Sequence, residues 1–90
     1  MKIKDISLEQ RPRERMKAGN SLSDAELLAI LIQSGYKGES AIDLSNRLIS
    51  TFEMDKLNSA SLKQLMDIKG IGLAKACKLI AAFELSKRVN

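Results

Sequence analysis

The chain has 90 residues, with 44% apolar and 29% charged side chains and a formal net charge of +4, the profile of one small globular domain. It has no histidine and one cysteine, so a Cys/His zinc site, a Ser–His–Asp or Cys–His catalytic set and an internal disulfide are all excluded within these residues. No apolar run reaches the roughly 20 residues of a membrane span, and the first ten residues, MKIKDISLEQ, lack the apolar stretch of a secretory signal. A cytoplasmic location is therefore expected. Charge is unevenly spread. Residues 1–17 hold six basic and three acidic groups, residues 18–68 four and seven, and residues 69–90 five and one. Basic ends around an acidic middle suit either a solvated surface or an anionic partner.

The elements are predicted to be helical throughout. Residues 1–10 read as an arm, with Ile3, Ile6 and Leu8 free to pack or to stay loose. Arg11-Pro12 puts proline at a first helical position, so a short helix is predicted over 12–17. Ser23 with Glu26 three residues on is a capping box, opening a helix over 24–33 with Leu27, Leu28, Leu31 and Ile32 on its apolar face. Residues 34–38, with Gly35 and Gly38, break it. Ser40 opens a helix to about Thr51, with Ala41, Leu44, Leu48 and Phe52 on one face. A turn of helix fits 54–58, and Ser61 with Gln64 caps a short one over 62–67. A final helix runs from Leu73 to about Arg88, its last basic residues suiting the negative end of the helix dipole. The expected fold class is all-α, a single domain over 1–90 with four to five helices.

The stretch from Ile68 to Ala76 carries the chemistry. Gly70 and Gly72 relax the backbone and leave room for an approaching group, Ile71 between them points to the core, and Ala76 lets the two helices come close. The turn opens straight into a helix start, whose unpaired amides and positive dipole end favour an anion. Gly70, Ile71, Gly72, Leu73 and Ala74 form the corner, and Lys69, Lys75 and Lys78 flank it as point charges. Apolar-x-Gly-apolar-Gly-x-x-x-Ala over Ile68, Gly70, Ile71, Gly72 and Ala76 resembles the helix-hairpin-helix motif, here over 61–88, which binds DNA backbone without reading bases. Many members have proline where Lys69 stands. The resemblance allows a monovalent cation on the hairpin carbonyls and implies no other cofactor. Aligning Gly38 with Gly72 makes the first helical pair a decayed copy of the second, with Ile42 in place of Ala76. That suggests a tandem, RuvA-like arrangement and leaves open whether the first turn also takes phosphate.

Over nearly its whole length the chain is similar to the N-terminal domain of the RadC family. The likeness lies in Arg11-Pro12-Arg13-Glu14-Arg15, in Leu22 through Leu31, in Gly35 through Gly38, and in Ile68-Lys69-Gly70-Ile71-Gly72. It implies a partner domain, C-terminal and of the JAMM metalloprotease-like type, whose zinc-binding histidines this chain lacks. The ending at Val89-Asn90, without a glycine cap, fits a cut before a linker. The implied role is an accessory, non-enzymatic DNA-binding module connected with DNA repair, acting on double-stranded or branched DNA. The alternative is a protein-interaction module, with the acidic middle as its surface, serving the absent catalytic domain. Arg11, Arg13, Arg15 and Lys37 are further phosphate candidates, against a reading as salt-bridged surface. Three to five neutralised phosphates would give a log–log salt slope of roughly −3 to −4.5 and a Kd near 10⁻⁴ to 10⁻⁶ M. Cys77, Met16, Met54 and Met66 are expected to fill the core. A nuclease site on Asp24, Glu26 and Asp43 is the weakest rival, because capping already explains those carboxylates.

Overall fold

The computed structural model describes residues 11–89, so the arm expected over 1–10 lies outside the described residues. The described residues form six α-helices: α1 Arg11–Lys17, α2 Asp24–Ile32, α3 Ala41–Phe52, α4 Met54–Leu57, α5 Leu62–Met66 and α6 Leu73–Val89. They contain no strand, only an isolated bridge between Tyr36 and Glu39. The class is all-α. The helix number exceeds the expected four to five because residues 54–57 form a helix of their own, α4, which buries its Leu57.

Local chemistry sets three of the starts. Ser23, Ser40 and Ser61 each accept the backbone N–H three residues on, and Glu26, Asp43 and Gln64 each reach back to the serine N–H. Such capping boxes satisfy two otherwise orphaned donors apiece. Pro12 is buried at the start of α1, where its missing N–H costs nothing.

The core is aliphatic. Leu28, Ala29, Ile32, Ala41, Leu44, Leu48, Leu57, Leu65, Ile71, Ala76 and Leu79 are buried together. α2 packs on α3, α5 packs on α6, and α2 also lies against α6, which joins the two helical pairs. Alanines at Ala29, Ala41 and Ala76, all fully buried, sit where helices approach closely.

Several packing expectations need correction. In α2 the buried residues are Ala25, Leu28, Ala29 and Ile32, while Leu27 is exposed. The helix is apolar nearly all round, so spacing alone does not select its inner face. Cys77 is exposed, one residue beyond buried Ala76 on α6. Met16 and Met66 are exposed too, and only Met54 packs against the core.

Candidate nucleic-acid interface

The second turn, between α5 and α6, is a corner built on Ile68, Ile71 and Ala76. Ile71 is buried, Ile68 packs on the core, and Ala76 is fully buried. The Ile71 N–H donates to the Ile68 carbonyl at 3.0 Å and closes the turn. Its two glycines do different work. Gly70 has φ +96°, and a Cβ there would lie 2.7 Å from the Tyr36 Cβ, so the fold itself requires glycine. Gly72 has no positive φ, is exposed, and a Cβ there would meet nothing within 4 Å. Sequence patterning assigns both glycines the same freedom, but nothing in the packing requires glycine at 72.

Gly72 is where α6 begins, since the Ala76 N–H donates to its carbonyl at 3.0 Å. α2, α3 and α5 begin with serine caps, whereas α6 begins with a residue that has no side chain. Among the described residues, no acceptor meets the N–H groups of Gly72, Leu73, Ala74 or Lys75. Gly72, Leu73 and Ala74 are exposed, so these donors open to solvent at the positive end of a 17-residue helix. Lys69 is exposed beside them. Lys78, also exposed, donates to Gln33 Oε1 at 3.2 Å.

Lys75 points elsewhere. Its half-buried ammonium donates to the Gly35 carbonyl and to the Gly70 carbonyl, each at 3.2 Å. It ties the two turns together and has one N–H left of its three. Arg47, which sequence reasoning missed, does the same from α3. Its guanidinium grips Glu39 through two bonds of 2.8 and 2.7 Å and donates to the Lys69 carbonyl at 2.7 Å. These bonds hold the Glu39 carboxyl below the usual carboxylate range and the Arg47 guanidinium above its ordinary value. Three successive hairpin carbonyls, of Ile68, Lys69 and Gly70, thus accept donors of the protein.

The first turn differs. Tyr36 and Glu39 exchange backbone bonds at 3.1 and 3.0 Å around Lys37 and Gly38, both at positive φ. A Cβ on Gly35 would overlap the Glu39 carbonyl. The Lys37 ammonium lies 5.3 Å from the Tyr36 ring centre, a cation–π distance. At the start of α3 the Ser40 N–H donates to Asp43 Oδ2 at 3.2 Å, and the Asp43 N–H donates to Ser40 Oγ at 3.1 Å.

Of the α1 arginines, Arg15 is committed to structure. It pairs with Glu26 at 2.7 Å and donates to the Ser21 carbonyl at 3.0 Å. The Ser23 N–H, and then Arg15, hold the Glu26 carboxyl below its ordinary value. Arg11 and Arg13 are exposed on the same helix, which packs on α2. Of the carboxylates Asp24, Glu26 and Asp43, Glu26 and Asp43 are engaged in caps. Among the described residues, no three acidic or cysteine side chains converge as a metal site. Nor, among them, is any helix long and apolar enough to cross a membrane.

Fold and corner together define an all-α domain of two helical pairs whose turns are bolted to each other. The chain belongs to the UPF0758 N-terminal family, whose model matches residues 3–77. It is 48% identical over 93 aligned positions to a UPF0758 protein of Bacillus licheniformis, covering 100% of this chain and 42% of the relative. It is 45% identical to the UPF0758 protein YsxA of Bacillus subtilis, covering 100% and 40%. A UPF0758 protein of Pelodictyon phaeoclathratiforme is 44% identical, covering 100% and 41%. The chain therefore spans about two fifths of the length of the curated relatives it matches. No solved structure matches it.

Proposed function

We propose that this domain binds the DNA backbone without reading sequence, as an accessory module of a RadC-like protein. One observation carries the reading: the amides of Gly72 through Lys75 stand without an acceptor at an exposed corner, which lacks the serine cap that α2, α3 and α5 have. A backbone phosphate would supply the missing acceptor, and its charge suits the helix end. Lys69 and Lys78 would add charge. Gly72 would let a phosphate oxygen approach the backbone directly.

The inward turn of Lys75 and the pairing of Arg15 leave fewer cations for phosphate than the sequence suggests. With about two phosphates neutralised, the salt slope falls to roughly −1.8 on duplex DNA, in place of −3 to −4.5. The reading needs no monovalent cation on the hairpin carbonyls, because the Lys75 ammonium already brings positive charge there. The link to DNA repair and to a C-terminal metalloprotease-like domain follows from the RadC likeness.

The alternative, a protein-docking module, has one feature in its favour. An open groove of about 320 Å³ lies between the α4–α5 connection and α6, with Ala60, Ile80 and Phe83 in its walls. The acidic middle is a poorer surface, since Glu26 and Glu39 are already paired.

Fluorescence anisotropy with labelled duplex DNA over a salt series tests the reading. The wild type should bind at low salt with a shallow slope. Lys69 is exposed, and its side chain makes no hydrogen bond or ion pair among the described residues, so a Lys69→Glu variant should lose most of that affinity. Equal binding by that variant would defeat the proposal. Lys75 is unsuitable for this test, because its substitution would disturb both turns.

A further inference from the structure

α6 outruns the core that it helps to build. Ala76 and Leu79 are its buried residues, Ile80 and Phe83 pack at the edge of the core, and every residue from Glu84 to Val89 is exposed. Leu85 is 62% and Val89 82% exposed, so two large aliphatic side chains stand on this overhang without cover from the described residues. Beside it, the groove of about 320 Å³ sets Ile80 and Phe83 of α6 against Ala60, with Glu84 and Lys87 also lining it. We infer that the overhang and its groove seat the C-terminal part of the UPF0758 polypeptide, which docks back through an apolar side chain with an acidic neighbour. The inference is independent of the phosphate reading, since the groove lies along the second half of α6 and the corner lies at its start.

Connectivity, size and charge select that occupant. The family matched is the N-terminal one, and the chain spans about two fifths of its relatives, so about three fifths of their polypeptide follows the counterpart of α6. That polypeptide departs from the same helix that lines the groove. The groove is small. It has room for about one or two side chains, whereas a free protein partner needs about 800 Å² on each side. A tethered segment works at a millimolar effective concentration, so a contact with a Kd of about 10⁻⁴ M stays closed about nine-tenths of the time. The charge is positive where it is free. Glu84 is taken by Arg88 at 3.3 Å, while the Lys87 ammonium has only a 3.5 Å contact, to the Asn58 carbonyl. A carboxylate beside the apolar anchor would complement Lys87, whereas a second copy laid along this end of α6 would bring Lys87 and Arg88 toward like charge.

The test is amide hydrogen exchange in two proteins, this chain alone and the full-length Bacillus licheniformis relative carrying this chain in place of its matching N-terminal part. In the full-length protein the amides of Asn58–Ala60 and Ile80–Lys87 should exchange about tenfold more slowly than in the chain alone. Backbone relaxation should give one tumbling time for the whole molecule. Lys87→Glu, which reverses the free charge, and Ser59→Trp, which fills the groove, should each return exchange to the rate of the chain alone. Both positions are exposed, so either variant of the chain alone should melt within about 4 °C of the wild type. Unslowed exchange, or slowing that both variants leave intact, would overturn the inference. So would protection already present in the chain alone that is lost on deleting residues 1–10 or on dilution, because the groove would then belong to the N-terminal segment or to a second copy.

Discussion

The contrast between Gly70 and Gly72 is the sharpest feature at the scale of single residues. An alanine at 70 would need a left-handed backbone and would drive its Cβ into Tyr36. Those terms together predict a loss of about 2–4 kcal/mol for Gly70→Ala in urea unfolding. Gly72→Ala meets nothing in the fold, and the poorer cap limits its cost to about 1 kcal/mol. Similar losses at both positions would contradict the assignment of one glycine to packing and the other to an approaching ligand. Local signals made much of this corner legible. The burial of Ile71 and Ala76 follows from their spacing around the glycines, and the caps at Ser23 and Ser61 from partners three residues away. Cys77 was misread because an exposed thiol and a buried one have the same neighbours in sequence.

At the scale of elements, the link between the helical pairs is made by cations on carbonyls. Lys75 spans 40 residues of sequence to reach Gly35, Lys78 spans 45 to reach Gln33, and Arg47 spans 22 to reach Lys69. No periodicity encodes such contacts, so the sequence presents these lysines as free charges and gives Arg47 no role at all. The inner face of α2 was hidden for another reason: its apolar residues surround the helix, and only the positions of α3 and α6 decide which are buried. Lys75→Met should remove two charge-assisted bonds and cost about 1.5–3 kcal/mol in thermal or urea unfolding. A variant as stable as the wild type would show that the ammonium does not bolt the turns. Ser61→Ala should cost about 0.5–2 kcal/mol by loss of the cap on α5.

For the whole molecule, the pairing of carboxylates sets the response to acid. Glu39, held by Arg47, and Glu26, held by the Ser23 N–H and Arg15, both have lowered pKa values in the fold. A lowered folded value gives stability that is present above the unfolded value, about 4.3 for glutamate, and is lost as pH falls through the folded one. Tm should therefore decline as pH drops below the ordinary glutamate range, and less steeply for Glu39→Gln. An identical acid profile for that variant would contradict the role given to the Arg47–Glu39 pair. Serine side chains cap the starts of α2, α3 and α5, and none caps that of α6. The most direct measurement is the DNA affinity of Gly72→Asp, read beside its melting temperature. The new carboxylate would cap α6 as Asp and Ser caps generally do, so the variant should melt at or above the wild-type temperature. It should at the same time lose DNA binding, because its own oxygen would take the place of the phosphate. A well-folded Gly72→Asp protein that binds DNA as tightly as the wild type would contradict the account.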